Sequence, residues 1–60
     1  MKTFAELEKH DFFTLQGDFG EVELMKINTL EAICIVSCNG TYQKGKIYCI
    51  QFDQICIKTC

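Results

Sequence analysis

The stretch that decides the fold is Glu21-Val22-Glu23-Leu24-Met25-Lys26-Ile27. Its first residues alternate strictly between charged and apolar side chains. Because successive side chains of a β-strand point to opposite faces of a sheet, Val22 and Leu24 are predicted to face a core. The glutamates of the same stretch then face solvent. This pattern predicts an antiparallel sheet with one buried face.

Four further segments have the composition of strands, being rich in aromatic and β-branched residues. They are residues 12–16, 31–37, 47–52 and 55–59. The segments are separated by short sequences typical of turns. These sequences are Gly17-Asp18-Phe19-Gly20, Asn28-Thr29, Asn39-Gly40, Lys44-Gly45-Lys46 and Asp53-Gln54. Residues 31–37 are apolar on both faces, which predicts a central strand.

The N-terminal residues predict one short helix. Thr3-Phe4-Ala5-Glu6 has the spacing of a capping box, in which the first and last side chains bond to each other's backbone. Phe4 and Leu7 lie three residues apart and so share one helix face. The helix is expected to end near His10 after about two turns and to cover one end of the sheet.

These elements predict a mostly β fold in a single domain over residues 1–60. The expected architecture is a five-stranded antiparallel SH3-like barrel, or a strongly bent sheet, with one short N-terminal helix. Closure is expected because it removes exposed strand edges. A chain of 60 residues that is 48% hydrophobic has apolar surface left over after one small core forms.

Charge and hydropathy limit the partners and the compartment. The net charge of −2 indicates that nucleic acid is not the partner, since a basic face would be expected for one. No apolar run has the length of a signal peptide or of a membrane span, so no membrane association is expected. The predicted location is the cytoplasm, or the host cytoplasm if the protein is phage-encoded.

The cysteines form two C-x3-C pairs, Cys34 with Cys38 and Cys56 with Cys60. Four thiolates could bind zinc, but residues four apart in an extended strand are separated by roughly 13 Å, too far to share one ion. Cys34, Cys49 and Cys56 are therefore expected to be small buried side chains, with an exposed thiol at Cys60. No metal and no cofactor are predicted.

No group of residues has a catalytic pattern, so the chain is not expected to be an enzyme. His10 is the only histidine, and it stands among charged residues at the predicted end of the helix rather than beside a thiol. Glu21 and Glu23 share one strand face as solvated residues do. An acid–base pair would need a cleft with two different environments.

Basic and aromatic residues occur together in one place. Lys44 and Lys46 stand between Tyr42 and Tyr48, a combination that can hold a nucleotide or a single strand. Phe19, at the tip of a predicted turn, is expected to be exposed together with Tyr42. These five residues are the candidate binding residues.

The opening string Phe4-x-x-Leu7-x-x-x-Asp11-x-Phe13, followed by Lys26-Ile27 and Ala32-Ile33, resembles a loosely defined group of small proteins from phages and mobile elements. In that group the opening reads Phe-x-x-Leu-x-x-Gly-Asp-x-Phe, so His10 stands where the group has glycine. The group has no single function, and no site residues carry over from it. The resemblance implies a small barrel and a phage origin, where compact proteins often bind and block host machinery.

The expected function is a non-catalytic binding protein, a phage-type inhibitor of a host or defence component that acts by protein–protein interaction. The alternative is a homo-oligomer that sequesters a small anionic ligand such as a nucleotide, using Lys44, Lys46 and Tyr48. A homo-oligomer, most simply a dimer, is expected in either case. The terminal strand, residues 55–60, is the predicted free edge for self-association.

Overall fold

The structure is a computed structural model that describes residues 2–15, 17, 21–38 and 40–59. Within these residues the backbone forms six strands and one short 3₁₀ turn. The strands are β1 (Lys2–Thr3), β2 (Phe12–Leu15), β3 (Val22–Lys26), β4 (Glu31–Ser37), β5 (Ile47–Cys49) and β6 (Ile55–Lys58), and the 3₁₀ turn spans Phe4–Glu6. The candidate residue Phe19, the turn residue Asn39 and the C-terminal Cys60 lie outside the described residues.

All six strands belong to one antiparallel sheet, in the order β1-β6-β2-β3-β4-β5. The mostly β fold is therefore confirmed. The prediction of five strands in a closed SH3-like barrel is wrong, because the N-terminal residues add a sixth strand and the sheet stays open. The two edge strands, β1 and β5, have only two and three residues. β1 pairs with β6 and β5 pairs with β4, and among the described residues no pairing joins the two edge strands to each other.

The predicted N-terminal helix is also wrong, since the described residues hold only the three-residue 3₁₀ turn. The backbone N–H groups of Phe4 and Ala5 donate to the carbonyls of Gln54 and Phe52, at 2.9 and 3.0 Å. The chain has already become extended at Leu7. Tertiary hydrogen bonds thus replace the bonds that would continue a helix. No helix in the described part of the chain is long and apolar enough to cross a membrane.

The strand β6 does not form an edge of the sheet. It pairs with β1 on one side and with β2 on the other. The expectation of a free edge at the C-terminal strand is therefore wrong for residues Ile55–Lys58. The free edges belong to β1 and β5.

One face of the sheet, the inner face, carries the core. Val22 and Leu24 are buried there as the alternation predicts. The ring of Phe4 packs 5.6 Å from the ring of Phe13, centroid to centroid, so the 3₁₀ turn covers one end of the core. The full set of buried apolar residues is Phe4, Leu7, Phe13, Leu15, Val22, Leu24, Ala32, Cys34, Ile50 and Cys56.

The interior strand β4 contains a β-bulge. Leu24 lies opposite Cys34, but the preceding Glu23 lies opposite Val36, so Ile35 is an extra residue on β4. Beyond the bulge Val36 is exposed, and Ile35 is only half-buried. β4 is thus the interior strand that the apolar run of residues 31–37 predicts, but full burial is confined to its inner face.

Lys26 is a buried charged residue at the end of β3, with only 5% of its surface exposed. Its ammonium group donates hydrogen bonds to the backbone oxygens of Phe4 and Leu7, at 2.8 and 2.7 Å. Burying a charge without hydrogen-bond partners would lower the free energy of unfolding by roughly several kcal/mol. The Phe4 carbonyl, at the start of the 3₁₀ turn, and the Leu7 carbonyl, just after it, supply these partners.

Residues 8–11 form a tight turn that connects the 3₁₀ turn to β2. The N–H of Asp11 donates to the carbonyl of Glu8 at 3.0 Å, and the Asp11 carboxylate accepts from the N–H of Glu8 at 2.8 Å. His10, the third residue of this turn, has a φ of 76°. This left-handed conformation favours glycine and strains other residues.

Candidate protein-binding surface

The edge strand β1 is protected against pairing. Thr3, the second of the two residues of β1, lies opposite Ile55 of β6, and its N–H donates to Glu6 Oε1 at 2.9 Å. The hydroxyl of Thr3 donates to the same oxygen at 3.0 Å. These bonds lower the pKa of the Glu6 carboxyl group. A short edge with its outward donor already bonded is poorly suited to bind another strand.

The opposite edge strand, β5, is open. Just before the strand, the Lys46 carbonyl accepts from Cys34 N–H at 2.9 Å. Just after it, Ile50 N–H donates to the Leu30 carbonyl at 2.8 Å. Backbone groups of alternate residues point to the same side of a strand. Lys46, Tyr48 and Ile50 therefore face β4, whereas the N–H and carbonyl groups of Ile47 and Cys49 face the free edge.

Exposed apolar side chains surround this open edge. The large hydrophobic residues that are most exposed in the described chain are Phe52 at 68%, Leu30 at 63% and Ile47 at 55%. Leu30 and Phe52 line a shallow depression together with Cys49, Ile50, Gln51 and Asp53. We call this depression the Leu30–Phe52 surface. Contiguous exposed apolar surface of this kind is typical of interaction sites.

The backbone that carries Leu30 is held by a side chain of the preceding turn. Asn28 Oδ1 accepts hydrogen bonds from the N–H groups of Leu30 and Glu31, at 2.9 and 2.8 Å. Asn28 Nδ2 donates to the Glu31 carboxylate at 2.9 Å. This Asx-type turn orders the backbone while the Leu30 side chain remains exposed.

The backbone that carries Phe52 is held by backbone hydrogen bonds. The Phe52 carbonyl accepts from the N–H of Ala5 at 3.0 Å, and the turn around it is closed by a bond from Gln54 N–H to the Gln51 carbonyl at 3.1 Å. The ordered backbone leaves little conformational entropy to lose when the exposed side chains contact a partner.

The structure brings the two candidate tyrosines together. The rings of Tyr42 and Tyr48 pack edge to face, with centroids 4.9 Å apart and an interplanar angle of 83°. Both rings are partly buried against the core. The Tyr48 hydroxyl accepts from the N–H of Gln43 at 2.8 Å. The pair therefore has a structural role that sequence reasoning did not predict.

The two candidate lysines lie on the turn beside this pair, and both are exposed. Lys46 N–H donates to the Gln43 carbonyl at 3.1 Å, and Gly45 adopts the left-handed φ of 85° that the turn requires. Lys44 and Lys46 thus form a small basic group at the start of β5.

The cysteines divide into two classes. Cys34 and Cys56 are buried in the sheet as predicted, and burial raises the pKa of both thiols, that of Cys56 to about 11. Cys38 and Cys49 are exposed. The prediction that Cys49 is buried is wrong because it lies on the edge strand, on the face opposite the core. Within the described residues, no group of three or more metal-binding side chains comes together.

No protein-family model matches the sequence, and no curated protein and no solved structure is similar to it at a significant level. The resemblance to small phage proteins stays a prediction. The residues that carry it have structural roles in this chain: Phe4, Leu7 and Phe13 lie in the core, and Asp11 closes the turn. The left-handed φ of His10 gives a physical reason for glycine at this position.

Sequence reasoning missed the Leu30–Phe52 surface. The available signal was the position of each residue, since Leu30 follows Asn28-Thr29 and Phe52 precedes Asp53-Gln54. A large apolar side chain within a turn has no strand partner to cover it, and such residues are candidates for contact with another molecule.

Proposed function

We propose that the protein is a non-catalytic protein-binding domain and that the Leu30–Phe52 surface is its contact site. The observation that carries this proposal is the exposure of two large apolar side chains on backbone turns that hydrogen bonds hold in place. A few well-packed side chains supply most of the binding energy at protein interfaces, and aromatic residues are enriched there. Asp53, at the rim of the depression, adds an acidic group to the surface.

The proposed role of this binding is inhibition of a host or defence component in the host cytoplasm. Its support is the resemblance of the opening segment to small proteins of phages and mobile elements. An inhibitor needs only to cover a functional surface of its target, and a chain of 60 residues is large enough for that. The proposal assigns no catalytic step to any residue.

The alternative remains a homo-oligomer that binds a small anionic ligand through Lys44, Lys46 and Tyr48. The observation in its favour is that all three residues lie on one turn and the strand it leads into, with both lysines exposed. Against it, the Tyr48 ring already packs on Tyr42 and the core, so it is less available for stacking on a base.

Affinity capture from the lysate of the native host cell tests the proposal when matched variants are compared. The double variant Leu30→Ser/Phe52→Ser removes both anchors, and Lys44→Ser/Lys46→Ser is the control with two surface changes elsewhere. We expect the wild-type and the lysine variant to capture the same protein. The anchor variant should bind the purified partner at least about 30-fold more weakly, as loss of a binding hot spot predicts.

Two results would contradict the proposal. One is undiminished capture by the Leu30→Ser/Phe52→Ser variant, provided that its melting curve shows it to be folded. The other is a rise in melting temperature with a nucleotide that is lost in Lys44→Ser/Lys46→Ser, which would support the alternative.

A further inference from the structure

The two edges of the sheet differ in one respect that bears on assembly. At β1 the outward N–H of Thr3 is bonded to the Glu6 carboxylate. At β5 the outward backbone groups belong to Ile47 and Cys49, and no side chain of the described residues is seen to bond to them. We propose that β5 is a dimerisation edge, along which a second copy of this chain pairs antiparallel about a two-fold axis.

The backbone of β5 selects one register for this pairing. If the axis passes through Tyr48, Ile47 of each copy lies opposite Cys49 of the other. All four outward donors and acceptors of β5 are then used, in two hydrogen-bonded pairs. If the axis passed through Ile47 or Cys49 instead, the backbone groups of the other residue would lie opposite a residue outside β5. The result is a continuous twelve-stranded sheet made from two open sheets of six strands.

The side chains of β5 suit this arrangement. Ile47 and Cys49 lie on the outer face of the sheet, because they alternate with Tyr48, which packs against the core. Across the junction, Ile47 of one copy would contact Cys49 of the other. Ile47, which is 55% exposed in the single chain, would lose much of that exposure.

The charges at the two ends of β5 favour a second copy over a foreign strand. Lys44 and Lys46 precede the strand, whereas Asp53 follows it and Glu31 lies opposite Cys49, at its far end. Antiparallel pairing about a two-fold axis brings the basic end of each copy to the acidic end of the other. A strand with oppositely charged ends is complementary to itself in this orientation.

Light scattering on the reduced protein over a concentration series tests the inference. We expect the wild-type to reach twice the chain mass of 6.9 kDa. Ile47→Lys places a charge on the pairing edge and should raise the dimer dissociation constant at least about 30-fold. Val36→Lys is the matched control, since Val36 is also an exposed strand residue but lies away from β5, and this variant should remain dimeric.

Disulfide formation tests the register. Residues in a hydrogen-bonded antiparallel pair have Cα atoms about 5.5 Å apart, which suits a disulfide. Under mild oxidation, Ile47→Cys should give a covalent dimer in which position 47 of one copy is joined to Cys49 of the other, as peptide mapping would show. Val36→Cys should not form this link.

A mass of 6.9 kDa for the reduced wild-type up to millimolar concentration would overturn the inference. Dimerisation that Ile47→Lys leaves intact, or a disulfide that maps elsewhere, would also overturn it. The inference and the proposed function fail separately. Ile47→Lys should change the mass while partner capture persists, and Leu30→Ser/Phe52→Ser should abolish capture while the mass stays at that of a dimer.

Discussion

The ammonium group of Lys26 lies 4.6 Å from the ring centroid of Phe4 and donates a 2.8 Å hydrogen bond to the backbone oxygen of the same residue. A second bond, of 2.7 Å, goes to the carbonyl of Leu7. The Phe4 carbonyl, at the start of the 3₁₀ turn, also accepts from the N–H of Leu7 at 3.2 Å, and the Leu7 carbonyl lies just after the turn. Lys26 therefore attaches the N-terminal segment to β3 with a buried, charged donor.

Replacing Lys26 with methionine should destabilise the protein. The change keeps the side-chain length but removes both hydrogen bonds, and the Leu7 carbonyl loses its buried donor. We expect the free energy of unfolding to fall by about 2–4 kcal/mol. Urea denaturation measures this, with Lys44→Met as the exposed control, which should change stability by less than about 0.5 kcal/mol. Equal stabilities of the two variants would contradict the role of Lys26.

His10→Gly should stabilise the protein. The residue has a φ of 76°, where an L side chain is strained and glycine is not. After the greater unfolded-state entropy of glycine is subtracted, the expected gain is about 0.5–1 kcal/mol. The melting temperature should rise by several degrees, roughly.

Lys9→Gly is the control for this prediction, since Lys9 belongs to the same turn but does not have a positive φ. Glycine there should lower the melting temperature because it only adds flexibility to the unfolded chain. A rise of the same size in both variants would show that strain at His10 is not the cause.

Acid should destabilise the protein through Asp11 and Glu6. Hydrogen bonds from the backbone of Glu8 and of Thr3 hold the pKa values of these carboxyl groups below their ordinary values of 3.8 and 4.5. For Asp11 the positive charge of Lys58, 3.6 Å away, acts in the same direction. The stability that these groups contribute is complete above the ordinary pKa values and is lost as the pH falls through the lower folded-state values.

The urea midpoint of the wild-type should therefore decrease on acidification from about pH 5. Asp11→Asn/Glu6→Gln should have a lower midpoint at neutral pH and a flatter acid profile. Glu21→Gln, a change at an exposed carboxylate, is the control and should keep the wild-type profile. An acid profile that is identical in all three proteins would contradict this assignment.

The four described cysteines should react at different rates. Burial raises the pKa of the Cys34 and Cys56 thiols, and for Cys56 the charge of Lys26 opposes this only in part. With N-ethylmaleimide at pH 8, Cys56 should react on the order of 100-fold more slowly than Cys38 and Cys49, because little of it is thiolate. Mass spectrometry of the peptides gives each rate. Labelling in urea is the control, where all sites should react alike, and equal rates in the native protein would contradict the burial pattern.

The periodicity of the sequence predicted the strands and their inner face well. Val22 and Leu24 are buried as the alternation requires, and the turns at Asn28 and Asp53 fall between strands. These features depend on local side-chain spacing, which sequence alone displays. The binding residues were less predictable. Tyr42 was expected to be an exposed anchor and Tyr48 a contact for a small ligand, but both rings pack against the core.

The sequence by itself determined the antiparallel β class, the position of most turns and the core face of β3, because each depends on the backbone geometry of adjacent residues. Tertiary structure alone decided three other features: the sixth strand, the burial of Lys26, and the choice of β5 rather than β6 as an open edge. Each of these follows from hydrogen bonds between residues far apart in the chain. The N-terminal segment pairs with β6, so its backbone cannot continue a helix and β6 cannot remain an edge. The apolar residues Leu30, Ile47 and Phe52 are left exposed around β5 for the same reason, since no later segment of the described chain covers them.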